Sequence, residues 1–100
     1  MLIAGNPAAA AVLDAIMSTV PNHCVAPPVL ALVVPPEGER LLPDIVRSDH
    51  APFWAAGQPA LMWTDTAELR NPNYHQPSDT PETLDYEFMA RVVSLLTASV

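Results

Sequence analysis

The sequence predicts an α/β domain. Three observations lead there. Short apolar runs alternate along the chain with stretches of helical periodicity, the pattern of layered α/β structure. One run, Val29 to Val34, is apolar at every position, as in a strand buried on both faces of a parallel sheet. Half of the 100 residues are apolar and only 15% are charged, so a packed core is expected rather than a disordered chain. That length corresponds to one domain, residues 1–100.

Met1 to Ala4 is short and apolar, then Gly5-Asn6-Pro7 turns the chain. Asn6 is a good N-cap and Pro7 suits the first helical position. Val12, Leu13, Ile16, Met17 and Val20 form the stripe of a helix that should stop before Pro21. A loop with Pro27-Pro28 leads to the strand at residues 29–34, closed by Pro35-Pro36. Glu37-Gly38-Glu39-Arg40 reads as a solvated turn.

Residues 48–57 read as a short helix with Ser48 or Asp49 as cap and Gly57 at the C′ position that needs positive φ. Pro59 to Trp63 is a further buried strand. A long polar loop follows, and a last helix begins at Thr80-Pro81 or Thr83. Its apolar face is Leu84, Phe88, Met89, Val92, Val93 and Leu96, with Asp85, Glu87 and Arg91 outward. The predicted order is strand, helix, strand, short helix, strand, long loop, helix.

There is no lysine, and four arginines face eleven acidic residues for a formal charge of −7. Phosphate backbones and anionic lipids repel such a chain, so neither nucleic acid nor a membrane surface is an expected partner. No stretch reaches the roughly 18 apolar residues of a membrane span, and the N-terminus has no basic region of a signal peptide. The sequence leaves localisation open. Cys24 is the only cysteine, so no intrachain disulfide forms; it reads as a small buried or half-buried apolar residue.

Two polar segments next to predicted strands carry the candidate chemistry. One is Arg47-Ser48-Asp49-His50; the other runs from Thr64 to His75 and Asp79. In open α/β sheets ligands gather at the carboxyl ends of strands. On local spacing alone His75 is a surface histidine, because no second ligand stands at helical or CxxC-like distance. His23, in the loop after the first helix, reads as solvated. Phe53 and Trp54 read as core aromatics.

Four marks in order take the reading further: Ser48-Asp49-His50-Ala51-Pro52-Phe53, then Gly57-Gln58-Pro59-Ala60, then Asn73-Tyr74-His75-Gln76-Pro77-Ser78-Asp79-Thr80, then Leu84-Asp85-Tyr86. Together they resemble the C-terminal part of the family-twenty-eight zinc metallopeptidases, the two-zinc aminopeptidase family. Gln58 and Gln76 are small departures from the usual isoleucine and threonine.

The resemblance implies a phosphorylase/hydrolase-like three-layer α/β/α sandwich, here partial and truncated at the N-terminus. It implies a zinc-dependent exopeptidase that removes N-terminal residues from peptides with a zinc-activated water. Of the ligands that hold two zincs in such enzymes, only His75 has a counterpart here. The other ligands and the general base fall upstream of this segment, in a missing N-terminal part of the catalytic domain. By the same resemblance His50 would polarise the substrate carbonyl or oxyanion, Tyr74 would line the substrate pocket, and Asp49 and Asp79 would brace the site. One ligand cannot hold a catalytic zinc, so the isolated chain is expected to be inactive. The other reading is a non-catalytic remnant or interaction module that keeps this fragment of the fold.

Overall fold

The computed structural model describes residues 1–99. They form a small mixed α/β fold of three strands and four α-helices, joined by turns of 3-10 helix. The strands are β1 (Leu2–Gly5), β2 (Leu30–Val33) and β3 (Leu61–Thr64). The helices are α1 (Ala10–Thr19), α2 (Pro36–Leu41), α3 (Ala51–Ala55) and α4 (Tyr86–Ala98).

β1 lies in the middle of the sheet, in the order β2-β1-β3. β2 runs parallel to it, with Leu2 opposite Leu30 and Gly5 opposite Val33. β3 runs antiparallel, with Leu2 opposite Thr64 and Gly5 opposite Leu61. The sheet is therefore mixed, not parallel throughout as the apolar runs imply.

Side chains alternate across a strand, so β1 serves two cores at once. Ile3 points to one face, where it meets Leu13 and Ile16 of α1, with Ala31, Leu61 and Trp63 around them. Ala4 points to the other face and joins Val34, Ile45 and Trp54, with Ala60 and Met62 against them. The helical stripe read from Val12 to Val20 thus seats Leu13 and Ile16 and leaves Val12 half exposed.

Several local expectations change in three dimensions. β2 is exposed along most of its length, not buried on both faces. It has a sheet neighbour on one side only, and the cores centre on β1, one strand inward. The expected turn at residues 37–40 is helix α2. Pro35 is its N-cap, Pro36 opens its first turn, and Glu37 and Glu39 sit at the positive end of its dipole with Arg40 at the other. Gly38 masked it, since glycine is a poor helix former. A β-carbon there would come within 3.2 Å of the Val34 side chain, a tight contact with the residue just past β2.

Asn6 does not cap a helix with its side chain. It is buried, and its Nδ2 donates to the Gln58 carbonyl at 2.8 Å while its Oδ1 accepts from the Ala60 amide at 3.4 Å. It therefore ties the end of β1 to the segment before β3. Neither Ser48 nor Asp49 caps α3: the residue ahead of it is His50, already helical in φ and ψ, and Ala51 donates to the Ser48 carbonyl at 3.0 Å. The helix grows out of a turn, which leaves the cap position empty of side-chain work. At the other end Gly57 has φ +70°, as expected, with its amide on the Trp54 carbonyl at 2.9 Å and that of Gln58 on Phe53 at 2.8 Å. Those two bonds make a Schellman cap.

α4 starts later than expected. Thr80 and Pro81 belong to a separate 3-10 turn, Pro81–Thr83, and Leu84 is extended. Asp85, expected on the outward face within the helix, is instead its N-cap, and its carboxylate accepts from the Phe88 amide at 2.9 Å. Glu87 and Arg91 pair at 2.5 Å on the outer face. Of the expected apolar face, Phe88 and Val92 turn partly inward with the fully buried Leu95, while Leu84, Met89, Val93 and Leu96 stay exposed. His23 is not solvated: it is half-buried against α4, with Nε2 3.4 Å from Ser94 Oγ and Nδ1 buried without a partner among the described residues. Cys24, expected to be at least half-buried, is exposed. No helix among the described residues is long and apolar enough to cross a membrane.

Candidate functional site

β3 ends at Thr64, and the chain then runs through a polar loop to the Pro81–Thr83 turn. Because β3 is antiparallel, this loop leaves the sheet at the amino ends of β1 and β2, not at their carboxyl ends. The loop is built from its own short polar side chains. Thr64 Oγ1 accepts from the Thr66 amide at 2.9 Å, Asp65 Oδ1 from that of Ala67 at 3.0 Å, and Asn71 Oδ1 from that of Asn73 at 2.9 Å. Each is a local side-chain turn that takes the place of a sheet or helix bond.

Every non-glycine residue with positive φ among the described residues lies in this loop: Thr66 at 80°, Ala67 at 41° and His75 at 55°. Left-handed backbone costs such residues roughly 1–2 kcal/mol each, and strain of this kind collects at functional sites. For β-branched Thr66 the conformation is a true outlier; histidine tolerates it better.

His75 is exposed at the loop's turn. Its ring stacks on the half-buried Tyr74, with centroids 4.1 Å apart and planes 10° from parallel. The stack limits the imidazole's freedom while leaving its edge to solvent. Asp79 and Asp49 are exposed, and neither carboxylate has a hydrogen-bond partner among the described residues.

His50 occupies a different environment. It is buried, its Nε2 lies 2.6 Å from the Ile45 carbonyl, and it meets Trp54 edge-on at 4.5 Å. A carbonyl only accepts, so Nε2 carries the proton and a neutral ring has Nδ1 as an acceptor. His50→Ala should cost about 1–3 kcal/mol, the penalty for leaving the buried Ile45 carbonyl unpaired. Urea melts of the two proteins check this, and an unchanged midpoint would remove His50 from the core.

Two links went unseen in the sequence. Arg47 pairs with Asp44 at 3.0 Å and with Glu68, so the segment before α3 is tied to the loop after β3. The hydrogen bond to Asp44 first, then that to Glu68, holds the Arg47 guanidinium above its ordinary value; the side chain is exposed, so the link orients more than it stabilises. The second is a groove of about 270 Å³ between β3 and α4, lined by Met1, Trp63, Asp65, Phe88 and Val92 among others. Neither the Arg47–Glu68 link, 21 positions apart in sequence, nor the groove between β3 and α4 rests on a local motif.

The donor set fits a metal only in part. A catalytic zinc takes about three protein ligands. Among the described residues no three histidines, cysteines or carboxylates come together. Among the described residues His75 stands as a single exposed donor, with no second histidine, cysteine or carboxylate grouped with it.

The profile of peptidase family M28 matches residues 31–100. Over 52 residues the chain is 50% identical to the uncharacterized protein YfbL of Escherichia coli (strain K12), which is 52% of this chain and 16% of that protein. The chain thus spans about a sixth of the length of that relative. No solved structure matches it. The match runs from inside β2 through α4 and takes in the His50 turn, the His75 loop and the Asp85 cap: this chain belongs to peptidase family M28.

Proposed function

We propose that this chain is the C-terminal part of a zinc-dependent exopeptidase domain, a three-layer sandwich when complete, and that His75 is the last of its metal ligands. The observation that carries the reading is the loop itself. It bears all the left-handed non-glycine backbone among the described residues and presents an imidazole stacked on Tyr74. A neutral imidazole is a good zinc donor once its ring is oriented. In this reading Tyr74 also lines the substrate pocket beside the metal, Asp49 and Asp79 brace the completed site, and the substrate is a peptide with a free N-terminus.

His50 is the weaker candidate for contact with the substrate carbonyl. With Nε2 committed to Ile45, only Nδ1 remains, and it can donate to an oxyanion only from the doubly protonated ring.

The 100-residue chain alone should hold no stoichiometric zinc and release no product from an aminoacyl-anilide, since one ligand cannot fix the ion. Turnover that needs zinc and disappears in His75→Ala would overturn that. The ligand role is tested in a graft that places residues 31–100 of this chain, the family-matched segment, in place of the corresponding segment of the Escherichia coli relative. Zinc affinity should fall by more than about 100-fold in His75→Ala, above the 10–100-fold typical of losing a residue that only orients a ligand. Equal zinc content in graft and variant would refute the assignment.

A non-catalytic interaction module built on the same fragment is the second reading. The exposed apolar residues of β2 and α4 favour it. It predicts that the graft binds no zinc with or without His75.

A further inference from the structure

The loop that carries His75 has little to hold it against the rest of the fold. No residue from 65 to 80 is buried, and its one leucine, Leu69, is 78% exposed. Its hydrogen bonds are local. Among the described residues, those of 65–79 reach no further than the four positions from Asn71 to Ala67, with one exception. The exception is the ion pair of Glu68 with Arg47, 21 positions away in sequence.

Both partners of that pair are held in place. Arg47 closes the 3-10 turn Pro43–Val46 and lies between two buried residues, Ile45 and His50, which are bonded to each other through the Ile45 carbonyl. Asp44 steadies its guanidinium at 3.0 Å. Glu68 stands in the 3-10 turn Ala67–Leu69, directly after the left-handed Thr66 and Ala67 that the side chains of Thr64 and Asp65 secure. From there the turns run on to the histidine. Asn71 donates to the Ala67 carbonyl at 2.8 Å, Tyr74 to that of Asn71 at 3.2 Å, and Gln76 to that of Asn73 at 2.8 Å. A shift of Glu68 is therefore passed along the loop to Tyr74 and His75.

We infer that Arg47 is the positioning residue of the His75 loop: through Glu68 it fixes the loop, and the imidazole with it, against the His50 turn. The tether itself rests on the contacts of this chain. Its consequence for a metal rests on the reading of His75 as a ligand. An exposed pair adds little to global stability, so the effect belongs in the loop and not in the melting of the fold.

Amide exchange followed by NMR tests it. In Arg47→Gln the amides of Asn71, Tyr74 and Gln76 should exchange about two- to fivefold faster, the range open to an exposed ion pair. Those of Trp54 and Gly57, in α3 and its cap, should keep their rates. Glu68→Gln should match Arg47→Gln, and the double variant should go no further, because all three remove one contact. Arg47→Lys should restore most of the protection, since both ion pairs use Nη1 alone and need no guanidinium fork. Unchanged loop rates in Arg47→Gln would overturn the proposal. So would additive effects in the double variant, or faster exchange at Trp54 and Gly57 to the same degree, which would make Arg47 a general brace. In the graft, zinc affinity should fall by about the same factor in Arg47→Gln, far less than in His75→Ala. The two readings separate there. Zinc that ignores His75→Ala defeats the ligand assignment and leaves the tether to the exchange rates. Zinc lost in His75→Ala, with loop rates unmoved in Arg47→Gln, defeats the tether alone.

Discussion

Trp54→Ala is expected to destabilise the protein by about 3–5 kcal/mol, the usual cost of removing a buried large aromatic. Trp54 is only 6% exposed and packs with Ala4, Val34 and Ile45 on one face of the sheet. Its indole Nε1 donates to the Ala60 carbonyl at 3.0 Å, and its ring supports His50 edge-on. Truncation therefore opens a cavity, strands a carbonyl and loosens the histidine that holds the Ile45 turn. A domain of this size has about 5–15 kcal/mol in all, so the variant should lose a large part of its folded population. Urea titration followed by Trp63 fluorescence measures this, because Trp63 lies on the opposite face with Ile3. Phe53→Ala is the control. Phe53, expected in the core from sequence, is 54% exposed, and its loss should stay within about 0.5 kcal/mol. Equal losses at the two positions would mean that α3 is rotated from the orientation described.

That contrast between neighbours shows where the sequence is readable. Gly57 was legible because a single local requirement, positive φ at a helix end, selects glycine. β1 and β3 were legible because each is a short apolar run bounded by turn residues. α2 was hidden because its signals conflict: two prolines and two acids that open a helix surround a glycine that disfavours one. The direction of β3 was illegible since nothing in an apolar run says which way it pairs. Yet that direction decides at which end of the sheet the His75 loop emerges.

The candidate site divides in the same way. Local spacing makes His75 a surface histidine, and the structure agrees that it is exposed. Its proposed role comes from the family motif and from the strained backbone, neither of which periodicity reveals. Thr66 and Ala67 carry no signal for left-handed φ; their conformation follows from side-chain bonds by Thr64 and Asp65. His50 shows the opposite case. The motif marks it as a residue of interest, but the bond to Ile45, five positions earlier, is invisible to any pattern of residue types.

Leu95→Ala should cost about 2–5 kcal/mol, whereas Val93→Ala should cost less than about 1 kcal/mol. The pair tests which face of α4 is seated. The helix carries two apolar stripes. Phe88, Val92 and Leu95 recur at four- and three-residue steps, and so do Tyr86, Met89, Val93 and Leu96. Either stripe satisfies helical periodicity, and a reading of the sequence that merges them cannot choose. Packing chooses the first. Leu95 is 0% exposed, and Ser94 beside it approaches His23, which caps the 3-10 turn that follows α1. The second stripe is open, with Val93 61% exposed. If α4 instead seated the Val93 stripe, the two costs would exchange, and thermal melts of the two variants would show it.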